Sequence, residues 1–202
     1  MFNQLDESKK MRIIQAALAE FAEKGYDGAS TIKIAQKAQI SKGSLFHYFQ
    51  TKETLFNWLI QYGIALVESA LYANENILKE DFIEVLVQSA LIKLKLFNEY
   101  PSLGEFFHKI YQDHSLDQSV WAVQYTDVMT RFQSLALNQV NPVKFRNDLA
   151  VGEVLQISYW IIDGMAKEYT NTEQDFNPED MMKLTDNMMT TLKKLLYKEE
   201  YQ

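Results

Sequence analysis

The residues best suited to chemistry crowd into one short stretch. Ser41, Lys42, Gly43, Ser44, Phe46, His47, Tyr48, Thr51 and Lys52 are small, basic or aromatic. Between them stand Leu45 and Phe49, four positions apart. A helix opening at Ser41 turns those two inward together and leaves Lys42, Gly43, Ser44, Phe46 and His47 outward. Small, basic and aromatic groups on a short exposed helix suit a DNA major groove, where cations meet phosphate and a ring can meet a thymine methyl. Covalent catalysis is not indicated, because no serine stands in a recognisable motif with a histidine.

Charge agrees with an anionic partner. No acidic residue lies between Asp27 and Glu53, whereas Lys33, Lys37, Lys42 and Lys52 do or border it. Up to Lys52 there are eight basic and five acidic side chains, although the whole chain carries −7. A basic patch on an acidic chain is a local anion-binding surface and not a general solubility charge.

The elements that must position this stretch are legible on either side. Ser30 is suited to cap a short helix carrying Ile34, Ala35 and Ala38 inward, with Thr31 at its start. Thr51 is suited to cap another helix from Lys52. Before them, Ile14, Ala17, Leu18 and Phe21 form one apolar stripe, so a helix is expected from about 6 or 8 to 24, stopped by Gly25. Two short helices joined by a turn, scaffolded by a third, make a helix-turn-helix.

At this point the residues resemble a known family. Ile34-Ala35, Ile40-Ser41-Lys42-Gly43-Ser44-Leu45-Phe46-His47-Tyr48-Phe49, then Lys52-Glu53 and Leu55 are similar to the helix-turn-helix of the tetracycline-repressor (TetR) family. The resemblance covers about the first quarter of the chain. It implies a DNA-contacting set of Ser30, Thr31, Ser41, Lys42, Gly43, Ser44, Phe46, His47, Tyr48, Thr51 and Lys52. Two positions depart from the family. Gln39 stands where the family usually has Gly in the turn, and Phe46 where it often has Tyr. Gly adopts a left-handed backbone freely, whereas another residue is strained there by about 1–2 kcal/mol. The missing phenol hydroxyl leaves position 46 two readings, an apolar contact to a base edge or a ring packed inside.

The rest of the chain reads as helix. Seven Gly and three Pro in 202 residues favour long helices, and no segment sustains period-2 alternation. Helices are expected over 52 to about 73, 81–98, 101–112, 117–139, 143–169 and from Pro178, about nine in all. The fold class is therefore all-α: a three-helix head followed by a larger helical domain. The helix from Lys52 is too long for the head alone, so the boundary is placed inside it, giving domains 1–58 and 59–202.

Several classes are disfavoured. The absence of cysteine excludes disulfides and thiolate metal sites. The first ten residues have no apolar core of a signal peptide, and the most apolar run, 154–162, is about half a bilayer span. A cytoplasmic protein without membrane contact is expected. His108 and His114, six apart, do not share a helical face, so neither a metal, a cofactor nor a catalytic set is expected.

The aromatics of the second domain leave two readings. Phe107, Tyr111, Trp121, Tyr125, Phe132 and Trp160, with Met129, either pack a core or line an apolar pocket. The family resemblance favours the pocket, with His108, Arg131, Gln156 and Asp163 as its polar groups. The resemblance also implies a homodimer whose last two helices pair with their mates, near Gly152 and Gly164. It implies a repressor bound to a palindromic double-stranded operator and released by a small hydrophobic effector. The rival is a helical enzyme or lipophilic-ligand carrier that does not read DNA; a third reading is a structural dimeric adaptor.

Overall fold

The computed structural model describes residues 2–74, 81–112, 137–171 and 178–202. Among them lie eight α-helices: α1 Glu7–Gly28, α2 Thr31–Lys37, α3 Lys42–Phe49, α4 Lys52–Tyr72, α5 Phe82–Glu99, α6 Pro101–Gln112, α7 Val151–Asn171 and α8 Pro178–Leu196. Short 3-10 turns occupy Phe2–Gln4, Pro142–Lys144 and Glu199–Tyr201. The fold is all-α, with the helix-turn-helix at the N-terminal end. The helix expected over 117–139 lies outside the described residues except for its final positions. The chain divides into two compact units, Met1–Glu68 with Phe97–Val128, and Ser69–Leu96 with Met129–Gln202.

In the first unit, Asp6 caps α1 by accepting from the Lys9 N–H at 3.0 Å. Ile13, Ile14, Ala17, Leu18 and Phe21 are buried along one stripe of α1, as the helical spacing demands. The backbone breaks at Gly25 (φ 68°, ψ −179°), and one more turn follows to Gly28. Only glycine takes that φ without strain. The core rings come from three helices: Phe56 of α4 stands 5.0 Å from Phe21 and 5.4 Å from Phe106 of α6. Gly63 lets α4 meet α6 closely, because a Cβ there would lie 2.7 Å from Leu103 Cδ1 and from the Phe107 ring.

In the second unit, Phe82, Ile83, Val85 and Val87 of α5 share a core with Phe145, Val154, Met188, Leu192, Leu196 and Tyr197. Here one expectation is corrected: the helix expected from 143 begins at Val151. The preceding residues are captured by other partners. Asn141 accepts from Val143 N–H and closes a 3-10 turn. The next backbone then pairs with the chain end, Arg146 N–H donating to Leu196 O and Lys198 N–H to Lys144 O, both at 2.9 Å. That pairing buries Phe145 against Tyr197. Beside them, Asp81 accepts from Lys144 at 2.6 Å and from the Tyr197 hydroxyl at 2.7 Å. In α7, Val154 and Ser158 are buried, whereas Tyr159 and Trp160 are 48% and 62% exposed. Among the described residues no helix is long and apolar enough to cross a membrane.

Candidate nucleic-acid interface

α2, α3 and α4 each start on the hydroxyl that the sequence offers. Ser30 Oγ accepts from Lys33 N–H at 3.4 Å, Ser41 Oγ from Ser44 N–H at 2.9 Å, and Thr51 Oγ1 from Thr54 N–H at 3.0 Å. Such caps satisfy amides that the first turn of a helix leaves unpaired. Between α2 and α3 the turn passes through Gln39 at φ 57°. The position that favours Gly is thus held by Gln in a left-handed backbone.

Leu45 and Phe49 are buried at 2% and 3%, and they fix which face of α3 is left outside. That face carries exposed Lys42, Gly43 and His47, with Ser44, Phe46 and Tyr48 half-buried. The Lys42 ammonium stands 5.5 Å over the Phe46 ring, and the His47 and Tyr48 rings are 5.8 Å apart. A Cβ on Gly43 would meet only Ser41 Oγ, at 3.7 Å, so the backbone there is open to close approach. Thr31 is half-buried at the first turn of α2, beside exposed Ile32 and Lys33.

Two of the four lysines are committed inside the head. Lys52 donates to the carbonyls of Tyr26, Asp27 and Ala29 at 2.7, 3.1 and 3.3 Å, which uses all three ammonium protons. It also lies 4.8 Å over the Tyr26 ring. Burial, with the carboxylates of Glu53 and Asp27 nearby, pushes the Tyr26 phenol above its ordinary pKa and keeps it neutral. Lys52 therefore ties the start of α4 to the end of α1, instead of standing clear for a phosphate. Lys37 donates to Glu20 at 3.1 Å. Glu20, 1% exposed, also accepts from the Ser30 N–H at 3.2 Å, so one buried carboxylate holds both ends of α2 against α1. Lys37 is exposed even so, its ammonium turned to Glu20, and Lys33 and Lys42 are exposed as well.

Sequence reasoning missed Glu20. An acidic residue inside an apolar stripe, seventeen positions before a lysine, was the available signal. It also missed Gln50, whose φ of 61° and ψ of −48° form a tight turn after α3. Phe49 O accepts from Thr51 N–H at 2.6 Å across that turn. This is a γ-turn of the rare positive-φ kind, a strained corner between α3 and α4.

The residues expected to line a pocket fall in different places. Phe107 of α6 is half-buried against Gly63, and His108 is exposed. On α7, Gln156 and Trp160 are exposed. Trp121, Tyr125, Met129, Arg131 and Phe132 lie outside the described residues, as do the side chains of Tyr111 and Asp163. A cleft of about 390 Å³ in the first unit, walled by Arg12, Gln15, Ala19, Lys37, Tyr100 and Ser102, contains none of the expected set. Among the described residues no three His, Asp or Glu side chains converge as a metal site would require.

Comparison with known proteins bears on this arrangement. A family model described as "Bacterial regulatory proteins, tetR family" matches residues 13–59, which span α1 to the start of α4. The HTH-type transcriptional regulator RutR of Escherichia coli (strain K12) is 31% identical over 102 residues, 50% of this chain and 46% of that protein. The Biofilm operon icaADBC HTH-type negative transcriptional regulator IcaR of Staphylococcus aureus (strain Newman) is 31% identical over 67 residues, 33% of this chain and 36% of that protein. The aligned region thus spans about half or less of these curated relatives. A solved TetR family transcriptional regulator from Chloroflexus aurantiacus J-10-fl shares the fold, with a TM-score of 0.73, 21% identity, and coverage of 98% of this chain and 97% of that one.

Proposed function

We propose, from the match of residues 13–59 to the tetR family of bacterial regulatory proteins, that this chain is a repressor of that family that binds a palindromic operator as a homodimer and releases it to a small hydrophobic effector. The observation that carries the reading is the face of α3. Leu45 and Phe49 anchor it, and Lys42, Gly43, His47, Phe46 and Tyr48 stand outside with no acidic side chain among them.

The roles divide by geometry. Lys42 at the first turn of α3 meets a phosphate, helped by the amides at that helix start. Gly43 and Ser44 let the backbone enter the groove, Phe46 supplies an apolar contact to a base edge, and His47 and Tyr48 flank the phosphates. Ser30, Ser41 and Thr51 hold the helix starts, with Thr31 beside them. Lys52 acts at one remove, through the α1–α4 junction.

The dimer reading rests on α7 and α8. Tyr159, Trp160 and Leu195 are exposed, and beyond their own helix backbone Gly152 and Gly164 have nothing within 4 Å of where a Cβ would stand. An apolar surface of this kind marks an interaction site. Paired heads would address half-sites about 34–36 Å apart. Effector release is drawn from the family and from the expected pocket residues of the second domain, Phe107, His108, Tyr111, Trp121, Tyr125, Met129, Arg131, Phe132, Gln156, Trp160 and Asp163.

The test is a gel-shift on DNA flanking the protein's own gene, with selection from a random duplex pool alongside. A retarded, competitor-resistant complex on a palindromic sequence is expected. Binding of no duplex above the non-specific level would overturn the reading in favour of a carrier or adaptor that does not read DNA.

A further inference from the structure

Phe2 is buried to 7% exposure, although it precedes the first α-helix. Its ring lies 4.7 Å from Phe49, 4.8 Å from Trp58 and 5.9 Å from Tyr48. Phe49 and Trp58 are themselves 5.6 Å apart, and Trp58 stacks on Tyr62 at 5.3 Å. Tyr48 and Phe49 are the last residues of α3, whereas Trp58 and Tyr62 share one side of α4. Phe2 thus fills the angle between the two helices from outside the helix-turn-helix. Its own place is set by Leu5 N–H donating to Phe2 O at 3.1 Å and by the Asp6 cap that follows. From the first turn of α1, Lys9 stands 5.8 Å over the Tyr48 ring.

Such a wedge has a physical task. The eight residues of α3 make about two turns, too few for intrahelical hydrogen bonds alone to hold a helix in water. Leu45 and Phe49 secure its inner face. Its far end otherwise continues directly into the strained corner at Gln50. An aromatic ring packed on both Tyr48 and Trp58 ties the end of α3 to α4 and restrains the direction in which Tyr48 is presented.

We propose that Phe2 is a positioning residue for DNA recognition, acting through Tyr48 and the C-terminal turn of α3. The role rests on the DNA-binding reading. The test uses the full chain and, as probe, the duplex that the wild-type protein selects from a random pool. Phe2→Ala is expected to weaken binding about tenfold, the scale of one lost contact, in protein that remains folded at the assay temperature. Phe2→Leu restores most of that loss by refilling the angle. In a Tyr48→Ala background, Phe2→Ala has little further effect, because two residues acting through one contact are not additive. A purely structural role would lower the melting temperature and leave the affinity of the folded protein unchanged. Wild-type affinity in Phe2→Ala, or an undiminished loss in the Tyr48→Ala background, would overturn the proposal. A wild-type protein that selects no duplex would overturn the DNA-binding reading itself, and this role with it.

Discussion

Lys33, Lys37, Lys42 and Lys52 look alike in the sequence, yet their ammonium groups have different work. Lys37 is paired with buried Glu20, and Lys52 caps three carbonyls at the end of α1. Salt dependence of DNA binding separates the two kinds, because its slope counts cations at phosphates. Lys33→Ala or Lys42→Ala should lower that slope by about one unit. Lys52→Met should leave it unchanged and instead destabilise the head by about 1–3 kcal/mol, the cost of stranding partly buried carbonyls. A lowered slope for Lys52→Met, measured by titration over a salt series, would return that residue to the phosphate-contacting set. Backbone strain makes a second prediction at this scale. Gln39→Gly and Gln50→Gly should each stabilise the head by up to about 1 kcal/mol, the left-handed strain less the added unfolded-state entropy of glycine. Denaturant midpoints with unchanged m-values would report it.

Among the elements, the start of α5, the 3-10 turn Pro142–Lys144 and the end of α8 are held by a polar cluster that adds pH dependence. Burial raises the pKa of Asp81, but hydrogen bonds from Lys144, Tyr197 and the Ile83 N–H outweigh it and hold the carboxyl below its ordinary range. Glu84 behaves alike, burial being outweighed by the bond from Lys193. Burial and the Asp81 carboxylate push the Tyr197 phenol far up. A carboxyl with a depressed folded pKa lends stability that is present above its unfolded value, about 4, and is lost as pH falls through the folded one. Acid should therefore loosen the second unit below about pH 4. Asp81→Asn should lower stability at neutral pH and flatten the acid limb of the stability curve. An equally steep acid limb in Asp81→Asn, followed by circular dichroism, would assign the acid transition to other groups.

At the scale of the whole molecule the predictions concern association and switching. Trp160→Glu places a charge on an aromatic of α7 that is 62% exposed and should shift the protein toward monomer in sedimentation. Operator affinity should fall with it, since each monomer then holds one half-site. Unchanged sedimentation would count against α7 as the proposed dimer surface. Switching follows linkage. If an effector weakens DNA binding about 5- to 150-fold, operator DNA must weaken the effector by the same factor. α4 is one unbroken helix from Lys52 to Tyr72, beginning in the first unit and ending in the second. Calorimetric titration of a copurifying ligand, with and without operator, measures the factor. Equal affinities would end the proposal that this ligand is the effector.

Where local chemistry decides, the sequence alone determined the outcome. Ser30, Ser41 and Thr51 start the helices they were expected to start, because a hydroxyl before an apolar-periodic run finds its amide within the same turn. Pro101 and Pro178 open α6 and α8, since a missing N–H is harmless at a first helical position. Leu45 and Phe49 face inward, because residues four apart share a helix side. The tertiary structure alone decided what depends on partners far along the chain. Residues 144–146 leave the helical pattern because 196–198 offer them backbone hydrogen bonds and Tyr197 offers Phe145 a buried face. Lys52 finds the carbonyls of Tyr26, Asp27 and Ala29 at the end of α1 because Gly25 breaks that helix and brings them to one point. Phe2, in a stretch with no helical period of its own, became core because the angle between α3 and α4 is lined by rings. Such long-range choices leave no spacing to read, since the partners meet only once the helices have packed.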